Sequence, residues 1–156
     1  DDFNPAKTLT QEQFDGITLN HVIEHVHDPT SYFRVCNDLL RPGGWIWVET
    51  PNMEALGHKR YGKHWRGLEP PRHLVLFTQN SLESSLHDAG FREIEEQPYR
   101  KMAEWFFEVS EILQSGSLFP RQKLSPEGRQ AARQADAQAA LQPRLREVLT
   151  MKAWKK

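Results

Sequence analysis

FDGITLNHVIEHVHDPTSYFRVCNDLLRPGGWIWVETPN, residues 14–52, contains a complete strand–helix–strand unit, and the rest of the chain is placed from it. Phe14 to Asn20 is a short apolar run carrying Ile17, Thr18 and Leu19, and it predicts a buried strand. Asp28-Pro29 is a helix start, with Asp28 as N-cap and Pro29 in the first helical position. Tyr32, Phe33, Cys36, Leu39 and Leu40 then fall on one helical face. Arg41-Pro42-Gly43-Gly44 is expected to stop the helix, and Trp45 to Thr50 to form a second strand ending at Pro51-Asn52. A helical link of this length makes the two strands parallel, the unit of a doubly wound α/β sheet.

Beyond this unit, residues 53–72 lack a period and hold three glycines, two prolines and five basic side chains. A connection this long is uncommon in a compact domain and points to a binding loop or lid. His73 to Phe77 is expected to be a short extended piece. Thr78 to Ala89 is predicted helical, with Asn80 and Glu83 at capping-box spacing, Leu82 and Leu86 inward, and Gly90 as the stop. Phe91 to Gln97 is a third strand. Met102 to Leu113 is an amphipathic helix whose stripe is Trp105, Phe106, Val109, Ile112 and Leu113. Residues 114–126 are expected to be a loop, Pro126 to Leu141 a helix, and Leu145 to Trp154 a last strand. Residues 1–13 are polar and are expected to be a loop.

Composition narrows the class. Of 156 residues, 38% are hydrophobic, enough for a core, and the formal net charge is −1, which gives no strong address toward polyanions. The charge is uneven: residues 1–56 carry three basic and nine acidic side chains, and residues 121–156 carry nine and three. The basic end is read as a solvated face, and no nucleic-acid partner is expected. The single cysteine, Cys36, excludes an internal disulfide and a CxxC zinc site. No apolar run approaches a membrane span, so a soluble cytoplasmic protein is expected.

FDGITLNHVIEHVHDP followed by LLRPGGWIWVETPN resembles the class I S-adenosylmethionine (SAM)-dependent methyltransferases. WRGLEPPRHLVLFTQNSLESSLHDAGF resembles the segment in one subgroup of that family where Pro-x-His precedes a Phe-Thr…Ser-Leu…Ala-Gly-Phe helix. The resemblance covers residues 14–98, with 99–144 as a helical insertion and 145–154 as the last strand. It implies a single partial domain over 1–156: a Rossmann-like, mostly parallel sheet of the family's strands four to seven, the last antiparallel. No Gly-x-Gly run precedes Phe14, so the resemblance implies that this chain is expected to lack the glycine-rich half of the cofactor site. The chain is therefore expected to be inactive alone, and the complete protein to methylate a small-molecule acceptor with SAM. Pairing of two copies through the open sheet edge or the aromatic helix is the expected partner contact.

Ligands of open parallel sheets bind at the carboxyl ends of the strands, here Asn20-His21 and Pro51-Asn52. These four are the expected cofactor-binding residues. His21 is the candidate general base, since an imidazole titrates in the right range. Tyr61, His64, Trp65, Arg66, Arg72 and His73 are the expected acceptor-facing residues, with aromatics for contact area and arginines to clamp anions. Relatives in ubiquinone and small-RNA methylation have Glu-x-x-Glu-His, which binds a divalent metal. Here the sequence is His21-x-x-Glu24-His25, one carboxylate short, so Glu24 and His25 are expected to orient the following helix and no metal is expected. Two other readings remain: an HxxEH zinc peptidase, with Glu95 or Glu96 as third ligand, and a non-catalytic interaction module.

Overall fold

The computed structural model describes residues 14–116 and 123–156. The 1–13 loop and part of the 114–126 loop expected from sequence lie outside the described residues. Strand β1 spans Phe14–Asn20, helix α1 Pro29–Leu39 and strand β2 Leu40–Pro51. Asp28 caps α1 by accepting the Ser31 backbone N–H at 3.0 Å, and Phe33, Cys36 and Leu39 are its buried face. The Arg41–Gly44 turn does not separate helix from strand as expected. Strand β2 begins directly at Leu40, and those four residues loop out within it, the register jumping from Phe14↔Leu40 to Gly16↔Trp45. Gly43 makes the excursion possible at φ +76, a conformation a Cβ would resist.

The supposed irregular segment after β2 is mostly helical. Helix α2 spans Leu56–Tyr61, and two short 3-10 turns follow at Gly62–His64 and Arg66–Leu68. His73 to Phe77 belongs to none of the sheet's strands, but Phe77 makes a parallel bridge to Asn52. Helix α3, Gln79–Asp88, is capped by Thr78, and the reciprocal partner is Ser81 rather than the Asn80–Glu83 pair. A serine hydroxyl reaches back to the Thr78 N–H as a glutamate would. Strand β3 is Phe91–Glu96. Helix α4, Ala103–Ser115, buries Ala103, Phe106, Phe107 and Ser110, so its inward face is rotated from the expected stripe and leaves Trp105 half exposed. Helix α5 is Pro126–Leu141, and its small buried face of Gly128, Ala132, Ala135 and Ala139 packs on α4. A 3-10 turn over Pro143–Leu145 delays the last strand, β4, to Val148–Lys155.

The sheet order is β1-β2-β4-β3. Strands β1 and β2 are parallel, and β4 runs antiparallel between β2 and β3. This is the mostly helix-flanked, Rossmann-like arrangement with an antiparallel last strand. Two cores result. One, under α1 and α3, holds Phe33, Ile46, Val48, Leu82, Phe91 and Met151. The other joins α2, α4 and α5 around Trp65, Phe106 and Phe107. No described helix is long and apolar enough to cross a membrane.

Candidate active site

Parallel β1 and β2 end on the same side, and the chain leaving β1 turns at once. His21 takes a left-handed backbone, φ +51, and its N–H donates to the Glu49 carbonyl at 2.9 Å. That turn puts the imidazole between two carboxylates. Nδ1 lies 3.1 Å from Glu24 Oε1, and Nε2 lies 3.6 Å from Glu49 Oε1. Glu24 is fully buried and its other oxygen accepts from Thr50 Oγ1 at 3.0 Å. Glu49 is held by Arg100 at 3.1 Å and Thr150 at 3.3 Å. The hydrogen bond to Glu24, then the Glu49 carboxylate beside Nε2, pushes His21 up to about 9 against the opposing effect of burial. Burial alone would raise Glu24, but its bonds from His21 and Thr50 outweigh that and hold it below the ordinary carboxylate value. His21 is thus a cation at neutral pH, with both ring nitrogens directed at anions. An imidazolium has no lone pair to accept a proton, which turns the expected general base into an anchored positive charge.

His25 and His73 stand beside it with ring centroids 4.9 Å apart. His25 Nδ1 donates to the Arg72 carbonyl at 2.8 Å, and His73 Nδ1 donates to the Gly67 carbonyl at 2.7 Å. A carbonyl can only accept, so both rings carry the proton on Nδ1 when neutral and present a lone pair at Nε2. With Glu24 they form a three-residue donor set whose ligand atoms lie within 4.8 Å of one another. Backbone carbonyls fixing the remote ring nitrogens are the usual outer support of a metal histidine, and mixed N/O donors suit a divalent transition ion. The residues fit such an ion. Glu24 and His25 do not orient α1, as the sequence suggested. Their bonds run to β2 and to the 66–75 segment, including the Leu74 and Val75 N–H groups on the Glu24 carbonyl. The peptidase motif lacks its helix: Ile23–His25 is a 3-10 turn, and Glu96 is paired with Arg146.

These groups border a cleft of about 220 Å³. His21, His25 and Pro51 line the end toward the strands, Arg66, Glu69, Arg72 and His73 one side, and Trp105 and Phe106 another. The remaining expected site residues are elsewhere. Asn20 is exposed at the strand end and does not line the cleft. Asn52 is buried; its amide N–H groups donate to the Arg144 and Arg146 carbonyls at 2.8 and 2.7 Å, and its oxygen accepts from Glu54 N–H at 3.0 Å. It is a corner brace with no free proton for a ligand. Tyr61 is buried against Phe107, and His64 lies outside the cleft. Trp65 is core, 1% exposed, and donates its indole N–H to Glu147 at 2.8 Å. Glu49, Glu69 and Glu147 were not legible as site or anchor residues, because each acquires its role from a partner far along the chain or on a neighbouring turn.

Comparison with known proteins identifies the family and the fold. A family model described as a methyltransferase domain matches residues 1–96. Ubiquinone biosynthesis O-methyltransferase from Parvibaculum lavamentivorans is 35% identical over 95 residues, 56% of this chain and 37% of that protein. The enzyme of the same name from Dinoroseobacter shibae is 32% identical over 100 residues, 59% of this chain and 40% of that protein. The chain therefore aligns with well under half the length of these relatives. Among solved structures, a SAM-dependent methyltransferase from Archaeoglobus fulgidus superposes with a TM-score of 0.58 at 18% identity, over 96% of this chain and 62% of that one. One from Thermotoga maritima gives 0.55 at 18%, over 95% and 58%. At that identity the likeness speaks to the fold.

Proposed function

This chain belongs to the methyltransferase domain family, and from that premise we propose that its cleft presents a small-molecule acceptor to the methyl group of SAM. The supporting observation is convergence: the carboxyl ends of two adjacent parallel strands, through His21 and Pro51, meet the 66–73 segment and α4 around one cleft. Methyl transfer asks the protein mainly to align nucleophile and sulfonium and to exclude water. Pro51 and Phe106 supply rigid apolar surface for alignment. His21 and its two carboxylates form a fixed polar floor that orients an acceptor hydroxyl or amine. The names of the curated relatives favour oxygen as the methylated atom.

A second component is a metal, favoured by the donor set of Glu24, His25 and His73. These three residues would hold a divalent ion, which would supply Lewis-acid polarisation of an acceptor hydroxyl. Calorimetric titration of S-adenosylhomocysteine into the protein that carries this chain tests the central reading. Saturable one-to-one binding is expected, and absence of binding in a folded sample overturns it.

A further inference from the structure

Two cations on the cleft wall share a single anion. Arg66 and Arg72 both pair with Glu69, Arg66 through Oε2 and Arg72 through Oε1. His73 Nε2 lies 3.4 Å from the same Oε2. Two guanidiniums thus stand against one carboxylate. The group therefore carries one net positive charge. Each guanidinium has five N–H donors and the shared carboxylate engages only part of either fork. Across from it, Trp105 is 50% exposed although its neighbour Phe106 is buried. The Arg66 guanidinium stands 5.6 Å from the Trp105 ring centroid. A large ring left half in water beside an uncompensated charge is a surface with one flat apolar part and one anion-binding part.

Resting on the methyl-transfer reading of this cleft, we propose that the acceptor is a small oxyanion, a carboxylate or phosphate ester on a flat apolar body. Its charged group docks on Arg66 and Arg72, and its body lies against Trp105 and Phe106. Glu69 engages one terminal nitrogen of each fork, Nη1 of Arg66 and Nη1 of Arg72. On the wall the docked anion faces Arg66, Arg72 and Glu69, two guanidiniums against one carboxylate. An anion also gains more from a guanidinium than a neutral amide does, and a cleft of about 220 Å³ suits a single substituted ring.

The test compares benzoate, phenyl phosphate and neutral benzamide by calorimetry, in protein saturated with S-adenosylhomocysteine and with EDTA present so that no metal bridges the anion. Both anions are expected to bind about tenfold or more tightly than benzamide. Arg72→Gln, on an exposed side chain, should weaken anion binding about tenfold and leave benzamide unchanged, and Arg72→Lys should recover part of the loss. Benzamide binding as well as benzoate, or Arg72→Gln leaving the anions unaffected, overturns the proposal. The benzoate to phenyl phosphate ratio identifies which oxyanion the site prefers. Loss of S-adenosylhomocysteine binding would sink the methyl-transfer reading, while the anion-to-amide ratio judges this proposal separately.

Discussion

Replacing Trp65 with phenylalanine should cost more stability at pH 8 than at pH 5. The indole N–H donates to Glu147 Oε2 at 2.8 Å, and the Gly57 N–H donates to Oε1 at 2.7 Å. Glu147 is 3% exposed, and burial pushes it up to about 7 against these two bonds. An acid whose folded value lies above its ordinary 4.5 favours the fold while protonated; that contribution fades as pH rises from about 4.5 through about 7. The full swing is about 3 kcal/mol. Above pH 7 the buried anion depends on its two donors. Removing one should cost about 1.5–3 kcal/mol, the range for a hydrogen bond to a charged group. Trp65→Phe also leaves space beside Gly57 and Gly67, about 1–3 kcal/mol at either pH. The variant should therefore unfold about 3–5 kcal/mol more easily at pH 8, and at least about 1 kcal/mol less severely at pH 5. Urea unfolding of both proteins at the two pH values reads the difference of differences, in which every other titrating group cancels. Glu147→Gln should abolish it. Equal losses at pH 5 and pH 8 would refute the claim that the indole stabilises the Glu147 anion.

One further outcome concerns the Trp65 packing and another the metal donor set. Gly67→Ala places a Cβ 2.2 Å from Trp65 ring carbons, and the ring is pinned by Glu147, so the melting temperature should fall by about 2–4 °C for each of the roughly 1–3 kcal/mol lost. Unchanged melting would show that Trp65 is free to shift. For the metal, manganese or zinc added to chelator-treated protein should bind one per chain by equilibrium dialysis, and His73→Ala should weaken that binding at least about tenfold. Equal uptake by the variant would remove His73 from the donor set.

Where signals were local, the sequence could be read directly. The Phe14–Asn20 run, the Asp28-Pro29 cap and the Pro126–Leu141 helix need only their own residues and nearest neighbours, and the structure has them at those positions. The Glu24-His25 pair and the carboxyl ends of the strands were visible for the same reason. What each polar side chain does was not. Asn52 looked like a ligand group until the chain returned 92 and 94 residues later with two carbonyls for its amide. Trp65 looked like a substrate contact until a buried carboxylate 82 residues away took its N–H. His73 joins Glu24 and His25 because the Leu74 and Val75 N–H groups lace the 66–75 segment back to the turn that follows the first strand. The strand–helix–strand unit and the family were legible from the order of residues alone. Which cations and carboxylates meet in the cleft emerged with folding, because hydrogen bonding and charge compensation depend on contacts between residues distant in the chain.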